Sequence, residues 1–516
     1  MSQHMPEEVH ATFDAFGQVL RHRAAERPDR RALTWLDRNG EPVVTWDFAA
    51  LERRSLDLAA HLVEQGLTGQ RALLMFPPGL DFIAVFYACL HAGVVAVPVY
   101  PPDPARLQRS LPRFLALVAD CGASAVLTTA EVAQLAGPLL QLAPGLEGLA
   151  LVQVDALGDA PTWIAPRLGR DDVAFVQYSS GSTGDPKGIV VTHGNLLDHA
   201  AVLQRVDNDE PGRSGLFWLP SYHDLGLIAG ILQPTYYGVP TTLMSPIDFM
   251  KRPLGWLRAV SRFRPTHTGG PNFGYDLCVR RFDPTQLEGV DLSSVEVFVN
   301  AAERVRRETI DRFVETFAPY GVTHEQMGPA YGLAEATLVV CTRYDRSRPR
   351  SVELDRQALS RGDVQAASGA TPARDRQWLV GVGQPTGGVE VAIVDPATGM
   401  GVGPGRTGEI WVHTPAVASG YLGRPELTEA TFRATLPGDP RHWLRTGDVG
   451  FLHDGELFVT SRLKDLIILR GRNLAPEDVE RSVEVAHPDV RPGCVAAFAV
   501  DEGGEERLVV GIEIRP

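Results

Sequence analysis

Apolar positions along this chain keep switching between a helical and a strand period. Phe13, Phe16, Val19 and Leu20 fall at helical spacing and stop before Pro28; Leu51, Leu58, Ala59, Leu62 and Val63 mark a second helix ending at Gly66. Residues 71–76 read as a short buried strand. The longest apolar stretch, residues 82–100, approaches membrane-spanning length. His91, Gly93 and Pro98 interrupt it, however, and its second half is rich in valine, which predicts a buried helix, a stop at Gly93 and a buried strand. The alternation recurs through strands at 216–219, 241–244 and 295–299. It predicts an α/β fold, a large N-terminal domain of mainly parallel sheets flanked by helices.

The rhythm breaks at residues 343–377, which hold eight arginines and few large apolar side chains. That composition predicts an exposed insertion, or one ordered only by docking. Four short strands then follow, at 389–394, 408–413, 450–452 and 456–459, joined by Gly and Asp turns, so 378–461 reads as a small β-rich subdomain. A fresh unit begins after residue 461, with a strand at 466–469, a helix at 476–486 and a strand at 507–514. The expected organisation is a large domain over 1–461, a hinge at 462–464 and a partial, mobile α+β unit over 465–516.

A length of 516 residues exceeds one core, and 44% hydrophobic with 22% charged residues fits a globular protein. The net charge of −14 argues against a nucleic-acid or anionic-membrane surface. Five well-separated cysteines without a CxxC pair, and an N-terminus without an apolar signal core, predict reduced thiols in the cytoplasm. Lysine occurs only at 187, 251 and 464, so a lysine inside a chemically plausible motif gains weight.

Such a motif is Tyr-Ser-Ser-Gly-Ser-Thr-Gly-Asp-Pro-Lys-Gly at 178–188. Gly181 and Gly184 allow backbone N–H groups to converge on an anion, Ser180, Ser182 and Thr183 supply hydroxyl donors, and Lys187 supplies positive charge. A Walker loop runs Gly-Lys-Ser/Thr into a helix. Here Ile189, Val190 and Val191 follow the lysine, so the loop joins two strands. A plain polar hairpin turn is the competing reading. Other motifs stand downstream: Asn300-Ala301-Ala302-Glu303 at a strand end, Tyr331-Gly332-Leu333-Ala334-Glu335, Arg445-Thr446-Gly447-Asp448 before an expected Gly turn, and Ser461-Arg462-Leu463-Lys464-Asp465. Side chains at carboxyl ends of parallel strands face a ligand crevice. An aromatic such as Tyr331 can stack on a purine, and a carboxylate such as Glu335 can hold Mg²⁺ beside substrate phosphates.

The ordered series resembles the adenylate-forming superfamily of acyl-CoA synthetases, adenylation domains and fatty acyl-AMP ligases. The run from Trp218 through Tyr222-His223-Asp224 to Gln233-Pro234, with residues 97–103, 243–246 and 269–273, is similar to the fatty acyl-AMP ligase branch. The resemblance implies that ATP sits with its phosphates on residues 180–184 and Lys187, its adenine against Tyr331 and Gly332, and its ribose on Asp448 and Arg462. It implies Mg²⁺ on Glu335, a pivot at Lys464, an adenine and acyl-carbonyl wall at residues 300–303, and His223 at the acyl entrance. Two positions depart from the branch, Ala301 for a glycine and Arg304 for a proline, while Ala334, where the wider superfamily often has threonine, resembles the branch itself.

The implied activity is conversion of a fatty or related carboxylic acid to acyl-AMP, then transfer to the phosphopantetheine thiol of an acyl carrier protein, as in polyketide or nonribosomal peptide biosynthesis. Residues 343–377 lie where such ligases carry an extra motif, which favours the carrier. An acyl-CoA synthetase using free CoA is the alternative, and a nucleotide-binding relic a third reading. In the superfamily a lysine near the far end of the lid reaches the α-phosphate, and no lysine follows Lys464. The expectation is a truncated lid and slow adenylation.

Overall fold

The computed structural model describes residues 13–100, 107–134, 149–179, 186–206, 212–343, 345–469, 472–502 and 505–515. The stretch 82–100 forms as expected. Helix Leu80–Ala92 is buried apart from Asp81, Gly93 caps it in the left-handed conformation at φ 66°, and strand Val95–Val99 follows. No described helix is long and apolar enough to cross a membrane. All five cysteines are free thiols.

Two mixed sheets carry the large domain. The wider one orders its nine strands Gln384–Pro385, Val339–Thr342, Met327–Gly332, Val297–Asn300, His267–Gly270, Gly215–Phe217, Thr241–Leu243, Arg31–Leu36 and Pro42–Asp47. From Met327–Gly332 to Arg31–Leu36 the neighbours pair in parallel, and only the outer strands reverse. The seven-stranded sheet places Gly420–Tyr421, Lys187–Thr192 and Val173–Ser179 antiparallel at one edge, then runs parallel through Val95–Val99, Arg71–Met75, Ala125–Thr128 and Ala150–Gln153. Parallel strands bring their carboxyl ends to one rim, and the motifs gather there.

Trp256 anchors the core behind that rim. It is 1% exposed and packs against Phe249, Tyr275, Phe298 and Phe313 at centroid distances of 5.9, 5.8, 6.2 and 6.5 Å, while its indole N–H donates to Thr268 Oγ1 at 2.9 Å. These contacts tie two flanking helices, Leu254–Phe263 and Arg307–Phe317, to the central strands.

Two expectations need correction. Residues 450–452 are not a separate short strand: they end the fifteen-residue strand Asp439–His453, which pairs with Gly408–His413 and Glu456–Arg462. Gly447, at φ 71°, lets the chain continue through Arg445–Asp448, so that motif lies inside a strand rather than before a turn. The arginine-rich segment is docked on the body, the second of the two alternatives its composition left open. Ser351–Asp355 and Arg376–Val380 pair antiparallel, and Leu354 and Leu379 pack on Phe451 and Phe458. Its arginines answer acids of the body: Arg343 pairs with Glu456 at 2.9 Å, Arg346 with Glu296 at 2.5 Å and Arg350 with Asp454 at 2.9 Å. After residue 465 come the helix Pro476–Glu484 and a long hairpin, Val490–Glu502 with Glu505–Ile514.

Replacing Trp256 with alanine removes both the ring contacts and the bond to Thr268. Trp256→Ala should destabilise the protein by about 3–5 kcal/mol in denaturant unfolding. A loss below about 1 kcal/mol would show that the core does not depend on this side chain.

Candidate active site

A cavity of about 1540 Å³ opens at the shared rim, lined by His223, Tyr331, Glu335, Asp448, Arg462, Lys464 and Lys187 among others. Each reaches it from a different element. The hairpin Val173–Ser179 and Lys187–Thr192 sets Lys187 opposite Ser179. Tyr331 ends a central strand, and Glu335 follows in a single 3₁₀ turn, Ala334–Ala336. The intervening Gly332 is required, because a Cβ there would lie 1.9 Å from Leu338 O. Asp448 sits in the bulged strand, and Arg462 and Lys464 stand where the following strand gives way to a 3₁₀ turn.

Two hydrogen-bonded chains organise these groups. Tyr331 donates its hydroxyl to Asp448 Oδ2 at 2.8 Å, and Arg462 Nε donates to Asp448 Oδ1 at 3.0 Å. Burial lifts the Asp448 carboxyl above its ordinary range, with Arg462 opposing the shift. In the second chain, Tyr421 donates to Glu335 Oε1 at 2.9 Å, and Lys187 Nζ lies 5.4 Å from the centre of the Tyr421 ring. Burial raises the Glu335 carboxyl too, and its backbone and Tyr421 hydrogen bonds offset only part of that. His223 Nδ1 lies 2.6 Å from Asp224 Oδ1, and that hydrogen bond holds its pKa up against desolvation.

Of the expected residues, Ala301, Ala302, Glu303 and Gly332 also line the cavity. Ala302 adopts φ 73°, a left-handed strain unusual for a residue with a Cβ and characteristic of functional strand ends. Asn300 is different. Fully buried, it donates to Asn272 Oδ1 at 3.2 Å, and Asn272 in turn binds Arg304 O and Arg306 N, so Asn300 braces the turn and does not line the cavity. Ser180, Gly181, Ser182, Thr183 and Gly184 lie outside the described residues.

Three residues that the motifs did not reveal complete the arrangement. Tyr421 belongs to a two-residue strand, Gly420–Tyr421, that pairs with Ile189 and Val190 beside Lys187. Asp120 accepts from Tyr178 Oη at 2.6 Å and from Arg424 Nη2 at 3.1 Å, while Arg424 also donates to Pro186 O at 3.1 Å. Both shoulders of the 180–185 segment are thereby tied to one carboxylate. Nothing local in sequence marks Tyr421, Asp120 or Arg424, since they meet only through the fold. A further ion pair reaches the cavity from the helix Pro476–Glu484. Arg304, standing where the resembled branch has proline, binds Asp478 at 2.5 Å, and Asp478 also accepts from Gln377 at 2.8 Å.

The family described as AMP-binding enzyme matches residues 20–422, most of the chain, including Lys187, His223, Tyr331 and Glu335 of this rim. This chain belongs to that family. It is 41% identical over 506 residues to the medium-chain-fatty-acid–[acyl-carrier-protein] ligase JamA of Moorena producens, covering 97% of this chain and 86% of that protein. A putative fatty-acid–CoA ligase, fadD25 of Mycobacterium tuberculosis, is 39% identical, with 96% and 86% covered. Among solved structures, the fatty acyl-adenylate ligase of L. pneumophila in complex with acyl adenylate and pyrophosphate superposes with a TM-score of 0.83 at 35% identity, covering 99% of this chain and 88% of that one. The fold is thus the adenylate-forming one, and the likeness falls on its fatty acyl-AMP ligase members.

One carboxylate beside substrate phosphates is a set that suits Mg²⁺, which keeps several waters and takes few protein ligands. Glu335, half-buried and held by its own backbone and the Tyr421 phenol, fits that role in kind. A carboxyl with a raised folded pKa weakens the fold once ionised, and the penalty fades as pH falls through the folded value and is gone below the unfolded one. Glu335→Gln should therefore raise the melting temperature at neutral pH, with the gain shrinking toward zero in acid, and should lower adenylation at least about tenfold. Melting curves across pH check the first part; a pH-independent gain would separate it from Glu335 ionisation.

Proposed function

We propose that this protein activates a fatty or related carboxylic acid with MgATP, releasing pyrophosphate, and passes the acyl group to the phosphopantetheine thiol of an acyl carrier protein. The observation that carries this reading is the continuity of the cavity. At its mouth the clamp lysine, the candidate metal carboxylate and the candidate ribose carboxylate converge, and behind them it continues between Phe217, Ala229, Val239 and Val299 as an apolar passage.

In the adenylation step a substrate carboxylate oxygen forms a bond to the α-phosphorus as the bond to the β-phosphate oxygen breaks. Lys187 meets the charge that builds on the departing pyrophosphate, in a site already ordered before reaction. Asp448 accepts from the ribose hydroxyls through lone pairs not taken by Tyr331 and Arg462. Tyr331 presents its ring to the adenine while its hydroxyl stays on Asp448. Glu335 would hold the Mg²⁺ that neutralises phosphate charge, and Tyr421 positions both this carboxylate and Lys187. His223, next to the apolar passage, orients the acyl carboxylate. In the second step a thiolate attacks the acyl carbonyl and AMP leaves. Lys464 is the pivot about which residues 465–516 change position between the steps. The cytoplasm, where ATP and reduced thiols coexist, is the compartment this reading assigns.

The carrier as acceptor is supported by the likeness to a carrier-protein ligase and by the docked segment 343–377, whose Gln377 holds Asp478. The likeness to a putative CoA ligase keeps free CoA as the competing acceptor. Lys187→Ala should lower acid-dependent pyrophosphate exchange at least about tenfold, since a preorganised charge contact at the transition state is worth several kcal/mol. Unchanged exchange in a folded variant would remove Lys187 from the mechanism. Offered holo-carrier protein and CoA together, the enzyme should load the carrier. Equal or faster acyl-CoA formation would instead assign it to the CoA ligases.

A further inference from the structure

Lys187 is held in place from outside the cavity. Asp120 lies in the last turn of the helix Leu107–Cys121, and it lines neither the catalytic rim nor the apolar channel behind it. Its side chain is only 20% exposed. A carboxylate at the end of a helix faces the negative pole of the backbone dipoles, so Asp120 is not favoured by its own element. Its partners come from two distant parts of the chain.

The first is Tyr178, whose hydroxyl donates to Asp120 Oδ2 at 2.6 Å. Tyr178 stands on the strand Val173–Ser179 opposite Gly188, the residue after the lysine. A Cβ at Gly188 would lie 2.9 Å from the ring Cζ and 3.0 Å from the hydroxyl, so the ring crosses the neighbouring strand where only glycine leaves it room. Burial, with the bond to Asp120, pushes the phenol far above its ordinary titration range and keeps it a donor. The second partner is Arg424. Its Nη2 donates to Asp120 Oδ1 at 3.1 Å and to Pro186 O at 3.1 Å, one hydrogen for each.

Pro186 O belongs to the peptide unit that contains Lys187 N. On the other side of the lysine, Gly188 O accepts from Leu422 N at 2.8 Å. Arg424 also bonds through its own N to Tyr421 O at 3.2 Å, and the Tyr421 ring lies 5.4 Å from Lys187 Nζ. A carboxylate serving stability alone could bond anywhere along this sheet edge. This one meets the two side chains that fix the strand partner and the preceding carbonyl of a single lysine. We infer that Asp120 is a positioning residue for adenylation: without touching substrate, it fixes the peptide from which Lys187 projects, and so the place of the ammonium against the departing pyrophosphate. The inference rests on the clamp role of Lys187 and names the group that controls it.

The test is a double-mutant cycle on the full chain, read by acid-dependent ATP–pyrophosphate exchange. Asp120→Ala should lower the maximal exchange rate at least about tenfold, because a small misplacement of a catalytic group costs rate steeply. The KM for the acid should stay within about twofold, since the lost contact acts on the transition state. In the Lys187→Ala background, Asp120→Ala should change the residual exchange by less than about threefold, because residues acting through one group are not additive. Arg424→Met breaks the same tether from a partly exposed position and gives a second cycle if Asp120→Ala does not fold, with melting curves establishing the fold of each variant. Equal losses with and without Lys187, or full exchange in folded Asp120→Ala or Arg424→Met, overturn the positioning role and leave the clamp reading intact. Undiminished exchange in folded Lys187→Ala overturns both.

Discussion

The buried carboxylate of Asp448 is the constraint around which this architecture is arranged. A carboxylate taken out of water is costly unless its oxygens are met, and two separate segments meet them. Tyr331 approaches from the end of a strand of the nine-stranded sheet, and Arg462 from the end of the strand Glu456–Arg462. Those partners hold the large parallel sheet, the antiparallel sheet and the start of the C-terminal unit in register at one point. Gly447 makes the meeting geometrically possible, because its left-handed backbone lets a fifteen-residue strand bulge there without ending. A nucleotide ribose would enter a group already oriented from both sides, so little rearrangement is needed at the carboxylate itself.

The same logic reaches past residue 465. Arg304 and Asp478 are each at most 18% exposed at the side chain, and Asp478 answers two residues at once, Arg304 and Gln377. Removing one member of such a pair leaves the other charged and desolvated. The position of the helix Pro476–Glu484 is therefore coupled to the strand-end turn through Arg304 and to the arginine-rich segment through Gln377. Any movement about Lys464 must break a bond to both. Arg481 with Glu308, 2.7 Å apart and half-exposed, adds a weaker tie.

How much of this was legible in the sequence depended on whether a signal was local. The helix–Gly–strand reading of residues 82–100 held because burial, a left-handed glycine and β-branched residues act within a few positions of each other. Lys187, Glu335, Asp448 and Arg462 stood out because short motifs carry them, and the fold brings them to one rim. The reading stopped where a residue's meaning is set by distant partners. The tie between Asn300 Nδ2 and Asn272 Oδ1 has no local mark. The arginines of residues 343–377 left exposure and docking both open, since the acids they pair with lie elsewhere in sequence. Tyr421 carries no local mark at all, and only strand pairing beside Lys187 brings its phenol to Glu335.

The wall facing the channel shows how one backbone irregularity serves both ends of the cavity. Residues Leu225–Leu232 wind as a π-helix and continue directly into the α-turn Gln233–Tyr237. The wider winding keeps Leu225, Ala229 and Gln233 on the channel side. It also demands glycine at 226, where a Cβ would stand 2.1 Å from Pro220 O. That close approach presses the start of the helix against the loop bearing His223 and Asp224, and Asp224 caps it by accepting from Leu225 N at 2.6 Å. The residue that sets the protonation of His223 thus also fixes where the helix begins, and with it the depth at which Gln233 stands in the channel. Catalytic rim and channel base are therefore not independently adjustable. A shift at Asp224 would be felt along the whole wall, from the His223 loop to Gln233, through one helix.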